Sequence, residues 1–107
     1  QGGVAQGIGN AFYEQLHFDE NGQLLNASFM DYLLPTAETV PMIETDHVET
    51  PSPLNPLGVK GAGEAGAIPV GPLFAQAVEN ALNHLELEIC EIPLSPNRLF
   101  QITTGNV

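Results

Sequence analysis

The sequence predicts a small α+β unit with two main helices, a hairpin and a long loop rich in glycine and proline. Its 107 residues are enough for one small domain and too few for two. Its hydrophobic fraction of 43% is ordinary for a chain that packs a core. Two segments with apolar residues at helical spacing lie on either side of a hairpin signal and a Gly/Pro-rich stretch. We therefore expect little strand, and we expect this unit to be part of a larger domain.

The first predicted helix spans residues 4–16, where Val4, Ile8 and Phe12 recur near helical spacing. Gly7 and Gly9 lie inside it, and a glycine in a helix interior costs about 1 kcal/mol relative to alanine. We therefore expect a close approach of another backbone or of a ligand at these glycines.

A hairpin follows, because Asn21-Gly22 separates two short extended runs. The next segment is irregular and is broken by Pro35 and Pro41. Residues 42–50 alternate imperfectly between apolar and polar side chains, which predicts a partly exposed strand.

Residues 51–72 are so rich in proline and glycine that neither a helix nor a central strand is expected there. The segment is too apolar for a simple flexible linker, and a long ordered loop of this kind is typical of a functional site.

The clearest predicted helix covers residues 73–88, where Leu73, Ala77 and Leu85 lie on one stripe and Pro72 suits the first turn. A short strand is predicted over residues 87–92. Ser95-Pro96 then predicts an N-cap and a first helical residue, which start a last turn through residue 100.

The charge is strongly acidic: thirteen acidic residues face two basic ones, Lys60 and Arg98, for a net charge of −11. Nucleic acid and an anionic membrane surface are therefore poor partners. The acidity indicates a solvated surface, with a basic partner surface as the alternative.

The single cysteine, Cys90, excludes an internal disulfide framework, and its apolar neighbours favour a buried, inert thiol. There is no apolar run of membrane-spanning length and no signal peptide, so a cytoplasmic setting is the default expectation. The opening QGGVAQG, without an initiating methionine, favours a piece of a longer polypeptide.

The segment GVKGAGEAG places Lys60 and Glu64 among glycines. It does not have the spacing of a phosphate-binding P-loop, and a glutamate would repel phosphate. A carboxylate buried in such a loop is desolvated and becomes a stronger base, suited to proton transfer near neutral pH. The alternative, that Glu64 points into solvent, stays open. His17, His47 and His84 lack the spacing of metal ligands, so we expect no metal held directly by side chains.

Two segments in this order, QGGVAQGIGNAFYEQ and ETPSPLNPLGVKGAGEAGAIPV, resemble the C-terminal part of the molybdenum-binding large subunit of the xanthine dehydrogenase family. These molybdenum hydroxylases include aldehyde oxidoreductases (aldehyde oxidases), xanthine dehydrogenases and aerobic carbon monoxide dehydrogenases. The hairpin segment and the ending ICEIPLSPNRLFQI fit the same order. The resemblance implies that residues 1–107 are a C-terminal fragment of a larger molybdopterin-binding domain.

The resemblance also implies site residues. Glu64 matches the active-site glutamate beside the molybdenum, and Gln6 matches the glutamine whose amide reaches toward a molybdenum oxo ligand or the cofactor. Lys60, Gly61 and Gly63 would lie against the molybdopterin, where missing side chains let backbone N–H groups meet the pterin and its phosphate. The same cofactor would explain the glycines of the first helix.

The implied activity is oxidation of an aldehyde, a purine, an N-heterocycle or carbon monoxide with water as the oxygen source. Glu64 would act as the base that removes a proton from the hydroxyl on the metal. The implied cofactor is molybdenum-molybdopterin, in its cytosine dinucleotide form if the source is bacterial. Iron–sulfur clusters and FAD would lie on other domains or subunits and carry the electrons away.

The implied partners are the rest of the large subunit, the iron–sulfur and flavin subunits and a small-molecule substrate, with no nucleic acid and no membrane insertion. Alone, the chain is expected to be inactive and to expose apolar surface. Two alternatives stay open: a non-catalytic binding or subunit-assembly module that retains the family scaffold, and a generic acidic structural domain.

Overall fold

Three α-helices, joined by long irregular segments, make up the observed fold. The computed structural model describes residues 1–105; the last two residues of the predicted unit, 106 and 107, lie outside that part. Helix α1 spans Gly2–Phe12, α2 spans Val70–Ala81 and α3 spans Pro96–Thr104, and a short 3₁₀ turn, Asn83–Leu85, follows α2.

The small core lies where α1 crosses α2 and where the chain before α3 meets α1, with the Leu94 N–H donating to the Ala11 carbonyl. Its buried apolar side chains are Ile8, Ala11, Val70, Ala75 and Leu94. The Cα radius of gyration is 17.5 Å, whereas a compact domain of this length would have about 13 Å. The fold is therefore open, with much of its apolar surface outside the core.

Helix α1 ends earlier than predicted, at Phe12 rather than at residue 16. Two successive backbone N–H groups, those of Tyr13 and Glu14, donate to the Gly9 carbonyl at 2.9 and 2.8 Å. This doubled bond closes the helix. The chain beyond it is fixed by the buried Asn26, whose amide accepts from His17 N and donates to the carbonyl of residue 15.

The predicted hairpin turn is confirmed. Phe18 and Leu24 form an antiparallel bridge around it, and Gly22 has a φ of 80°, a conformation that glycine adopts without strain. The Asp19 carboxylate accepts from the backbone N–H groups of Asn21 and residue 23 at 2.9 and 2.8 Å. The pairing stops at one bridge instead of extending into two strands.

The strands predicted over residues 42–50 and 87–92 are wrong. Neither pairs with another strand within residues 1–105, and Met42 and Val48 are 96% and 91% exposed. An alternating pattern can only form a ladder where a partner strand is available. The predicted α+β fold class is therefore not confirmed, because the described chain is helical with little strand.

Both C-terminal helices are confirmed with different bounds. Helix α2 begins three residues before the predicted start at residue 73, with Pro72 in its first turn, and ends at Ala81. Ser95 caps α3 by accepting from Arg98 N at 3.2 Å, and Pro96 is the first helical residue. Helix α3 continues past the single turn that was predicted, up to Gly105, whose φ of 71° ends it.

Cys90 is exposed, so the prediction of a buried thiol is wrong. The predicted exposure of apolar surface is confirmed at such residues as Phe29, which is 82% exposed, and Leu54, which is 91% exposed. Within residues 1–105, none of the helices combines the length and apolarity that crossing a membrane requires.

Candidate functional site: a glycine loop against the first helix

The glycine-rich loop over residues 60–66 contacts the start of α1 backbone to backbone. A Cβ placed on Gly3 would lie 3.0 Å from the Gly66 Cα, and one placed on Gly66 would lie 3.3 Å from the Gly3 Cα. These distances are too short for ordinary contacts between carbon atoms. A side chain at either position would therefore push the loop away from the helix.

Glu64 lies two residues before this contact. Its backbone carbonyl accepts from the N–H groups of Ala67 and Ile68 at 2.9 and 3.1 Å, which starts the turn that leads into α2. Its side chain is exposed and has no hydrogen-bond or ion-pair partner among residues 1–105. Of the two expectations that the sequence left open, the described chain therefore shows the solvent-facing one.

The loop offers a strip of unused backbone donors. The N–H groups from Lys60 through Glu64 donate to no acceptor in the described part of the chain. A Cβ on Gly61 or Gly63 would meet nothing within 4 Å, and neither residue has a positive φ. Nothing in the described chain therefore requires glycine at these two positions, and the bare strip suits a ligand with hydrogen-bond acceptors, such as a pterin.

Lys60, the only lysine, does not extend freely from this strip. Its ammonium group donates to the Thr50 hydroxyl, which ties the loop to the extended segment before it. Asn55 closes the other side of the same turn through bonds in both directions with the backbone of Val59, at 3.0 and 3.1 Å. Both anchors thus hold the chain at the start of the donor strip.

Gln6 lies one helical turn after Gly3, on the same side of α1. The contact between Gly3 and Gly66 therefore brings the helix that carries Gln6 and the loop that carries Glu64 together. The Gln6 side chain is exposed and lines a cavity of about 470 Å³, together with Glu14 and the chain around Pro35.

Glu14 and Tyr32 extend this site, and the sequence analysis missed both. The Tyr32 hydroxyl donates to Glu14 Oε1 at 2.9 Å, and Gln6 Nε2 donates to Glu14 Oε2 at 3.5 Å. The hydrogen bond to Glu14, with smaller contributions from desolvation and from the negative charge, raises the pKa of Tyr32. Eighteen residues separate the acid from the phenol, and no local motif signals such a pair.

The glycines of α1 are explained by the chain itself rather than by a cofactor. A Cβ on Gly7 would lie 2.6 and 2.9 Å from the two methyl carbons of Val70 on α2, and one on Gly9 would collide with the Glu14 carboxylate and lie 2.9 Å from Pro35 Cγ. The expected close approaches are therefore present, but side chains make them. Among residues 1–105, no group of three His, Cys, Asp or Glu side chains is placed to hold a metal ion.

The family profile described as the molybdopterin cofactor-binding domain matches residues 1–41. The nicotine 6-hydroxylase large subunit of Paenarthrobacter nicotinovorans is 41% identical over 105 residues, which cover 98% of this chain and 13% of that protein. The carbon monoxide dehydrogenase large chain of Afipia carboxidovorans is 39% identical over 101 residues, which cover 94% of this chain and 12% of that protein.

Among solved structures, the quinoline 2-oxidoreductase of Pseudomonas putida 86 matches with a TM-score of 0.89 and 45% identity, over 96% of this chain and 13% of that one. The chain thus spans about an eighth of the length of the relatives that it matches. The open fold follows nearly the same backbone course as the matching part of that much longer oxidoreductase chain.

Proposed function

We propose that this chain, which belongs to the molybdenum-binding large-subunit family of xanthine dehydrogenase and carbon monoxide dehydrogenase, supplies part of the cofactor site of a molybdenum hydroxylase. The enzyme would oxidise an aldehyde, a purine, an N-heterocycle or carbon monoxide with water as the oxygen source. Residues 1–107 would form the C-terminal part of its molybdopterin-binding domain.

The single observation that supports this proposal best is the strip of free N–H groups from Lys60 through Glu64. These groups would bind acceptor atoms of the molybdopterin and its phosphate. The open space at Gly61 and Gly63 lets the cofactor approach the backbone without meeting a Cβ. Gln6 would present its side-chain amide to the same ligand from α1. These residues therefore fit the cofactor.

When bound, the molybdenum cofactor supplies the two-electron oxidation of the substrate and polarises the water that provides the oxygen. Glu64 contributes a base: one of its carboxylate oxygens accepts the proton that this water must lose. The carboxylate is available for this role because no donor of the described chain occupies it. The turn held by Ala67 N and Ile68 N fixes the backbone from which it projects.

The remaining parts of the enzyme would lie elsewhere. We propose that the exposed apolar side chains of this chain, such as Met42 and Leu54, contact the rest of the large subunit. Iron–sulfur clusters and FAD would lie on other domains or subunits. The enzyme as a whole would be located in the cytoplasm. The cofactor would carry a cytosine dinucleotide if the source is bacterial, and mass spectrometry of the released nucleotide would identify it.

The first experiment purifies from its native source the polypeptide that contains this sequence, together with the subunits that accompany it. Its intact mass, its molybdenum and its pterin are then measured. About one molybdenum per polypeptide is the expected result. A polypeptide without molybdenum, measured with its natural partners bound, would overturn the proposal and favour the non-catalytic assembly module.

The role of Glu64 is tested in the same polypeptide, carrying its molybdenum cofactor, by Glu64→Gln. This change keeps the size of the side chain and removes the base. Turnover should fall about 10²- to 10⁴-fold, the usual contribution of a general base, while the molybdenum content stays at the wild-type level. Glu44→Gln is the matched control, because Glu44 is also exposed and without a bonded partner in the described chain. Wild-type turnover in the Glu64 variant would refute the assignment.

A further inference from the structure

The Glu14 carboxylate lies against α1, in space that is open because Gly9 has no side chain. Any Cβ on Gly9 would collide with Glu14 Oε2, so the missing side chain opens the position in which this oxygen lies against α1. Gly9 is buried and Glu14 is half-buried. The same Cβ would come within 2.9 Å of Pro35 Cγ, so Pro35 also lies against Gly9.

Both oxygens of this carboxylate have a partner. Tyr32 donates its hydroxyl to Oε1 at 2.9 Å, and Gln6 donates Nε2 to Oε2 at 3.5 Å. The first bond is the shorter one and comes from a half-buried phenol, so it fixes the carboxylate. The second bond is at the long end of hydrogen-bond distances and acts on the exposed side chain of Gln6.

The chemistry of the two groups determines which way the Gln6 amide faces. An ionised carboxylate only accepts hydrogen bonds, so Gln6 must turn its NH₂ group toward Glu14. Its carbonyl oxygen and its second N–H are then left for another partner. Gln6 and Glu14 line the same cavity of about 470 Å³, so that partner can approach from the open side.

We propose that Glu14, held by Tyr32 and lying against the bare Gly9, is a positioning residue that orients the Gln6 amide toward the molybdenum cofactor. This inference rests on the proposed function, since it gives Gln6 its orientation within that site. The competing explanation is that Glu14 and Tyr32 only fasten the segment before Pro35 to α1.

The test uses the polypeptide that contains this sequence, carrying the molybdenum cofactor and bound to its partner subunits. It compares Gln6→Ala, Glu14→Met and the double variant. Methionine keeps the length of an unbranched side chain and removes both strong acceptors. Glu20→Met is the matched control, because Glu20 is exposed in the hairpin turn and its side chain has no bonded partner in the described chain. The readouts are the paramagnetic resonance spectrum of the reduced molybdenum, the molybdenum retained after dialysis, kcat and the melting temperature.

Loss of an outer partner of a cofactor ligand typically lowers metal retention or activity about 10- to 100-fold. We expect Glu14→Met to lower kcat within that range and to shift the molybdenum spectrum in the same direction as Gln6→Ala. The double variant should be no worse than Gln6→Ala, because Glu14 acts through Gln6. Glu20→Met should match the wild type.

A purely structural role gives a different result. Glu14→Met would then lower the melting temperature, leave the molybdenum spectrum unchanged and add its effect to that of Gln6→Ala, which would overturn the proposal. If Glu14→Met does not accumulate as folded protein, Tyr32→Phe provides the same test, because it keeps the carboxylate and removes the donor that holds it. A Tyr32→Phe spectrum identical to the wild type would also overturn the proposal.

The two proposals fail in different ways. A wild-type polypeptide without molybdenum contradicts the proposed function before any variant is made. A wild-type polypeptide that carries molybdenum, with a spectrum that responds to Gln6→Ala but not to Glu14→Met, contradicts only the positioning role.

Discussion

Replacing Gly7 by alanine should force α1 and α2 apart. The added Cβ would lie 2.6 and 2.9 Å from the two methyl carbons of Val70, whereas carbon atoms in contact are about 3.5–4.0 Å apart. The shortfall is about 1 Å. Rotating the Val70 side chain cannot relieve this clash, because its Cβ lies closer still to the added atom and does not move on rotation, and the residue is 3% exposed.

The expected loss of stability combines two opposing effects. Extra atoms in a packed core cost about 1–3 kcal/mol, and alanine in place of glycine inside a helix returns about 1 kcal/mol. Since both methyls of a rigid, buried valine are too close, the cost lies in the upper part of that range. The net destabilisation should be about 1–2 kcal/mol, which corresponds to a roughly 5- to 30-fold change in the local opening equilibrium.

Hydrogen exchange followed by mass spectrometry, in the polypeptide that contains this sequence, measures that opening locally. Amides of α1 and α2 should exchange roughly 5- to 30-fold faster in the Gly7 variant, while those of α3 are unchanged. Gly2→Ala is the control, because a Cβ there meets nothing within 4 Å. Unchanged protection in both α1 and α2 of the Gly7 variant would refute this account of the helix crossing.

Two other predictions concern the candidate site. Gly61→Ala should leave the melting temperature unchanged or raise the free energy of unfolding by about 0.4–1 kcal/mol, because its Cβ would face open space. The molybdenum retained by the polypeptide that carries the cofactor should nevertheless fall. Unchanged retention would count against cofactor binding by the donor strip. For Tyr32, the hydrogen bond to Glu14 raises the pKa in the folded state. The stability that it contributes is therefore fully present below the ordinary tyrosine pKa of about 10 and is lost as the pH rises through the higher folded value. Melting temperatures of the wild type and Tyr32→Phe should differ by a constant amount between pH 7 and 9 and converge at higher pH, and a difference that widens above pH 10 would contradict the sign.

The parts of the fold that the sequence predicted correctly are those set by local chemistry. Ser95 caps α3 through its own hydroxyl, and Gly22 supplies the positive φ that the hairpin turn requires. Each feature depends on residues no more than a few positions apart. The start of α2 was predicted to within three residues for the same reason.

The parts that failed depend on partners distant in sequence. Residues 42–50 have a pattern suited to a strand, but pairing requires another strand, and none pairs with them within the described chain. Cys90 lies among apolar residues in the sequence and is nonetheless exposed, since burial depends on what packs over a segment and not on its neighbours alone. The pair of Glu14 and Tyr32 was missed because only the tertiary fold brings it together.

The glycines show most clearly what the structure adds to the sequence. In the sequence alone, Gly7 and Gly9 are indistinguishable from Gly61 and Gly63, and the resemblance to the family attributes all four to one cofactor. The first two are bare because Val70 and Glu14 occupy the space beside them, whereas the other two face open space and have no positive φ. A glycine that neither its own backbone conformation nor its own chain requires is the one that suggests an external ligand. By this criterion, only the glycines of the loop that carries Glu64 indicate a cofactor. Helix α1 contributes to the proposed site through Gln6 and through its contact with Gly66.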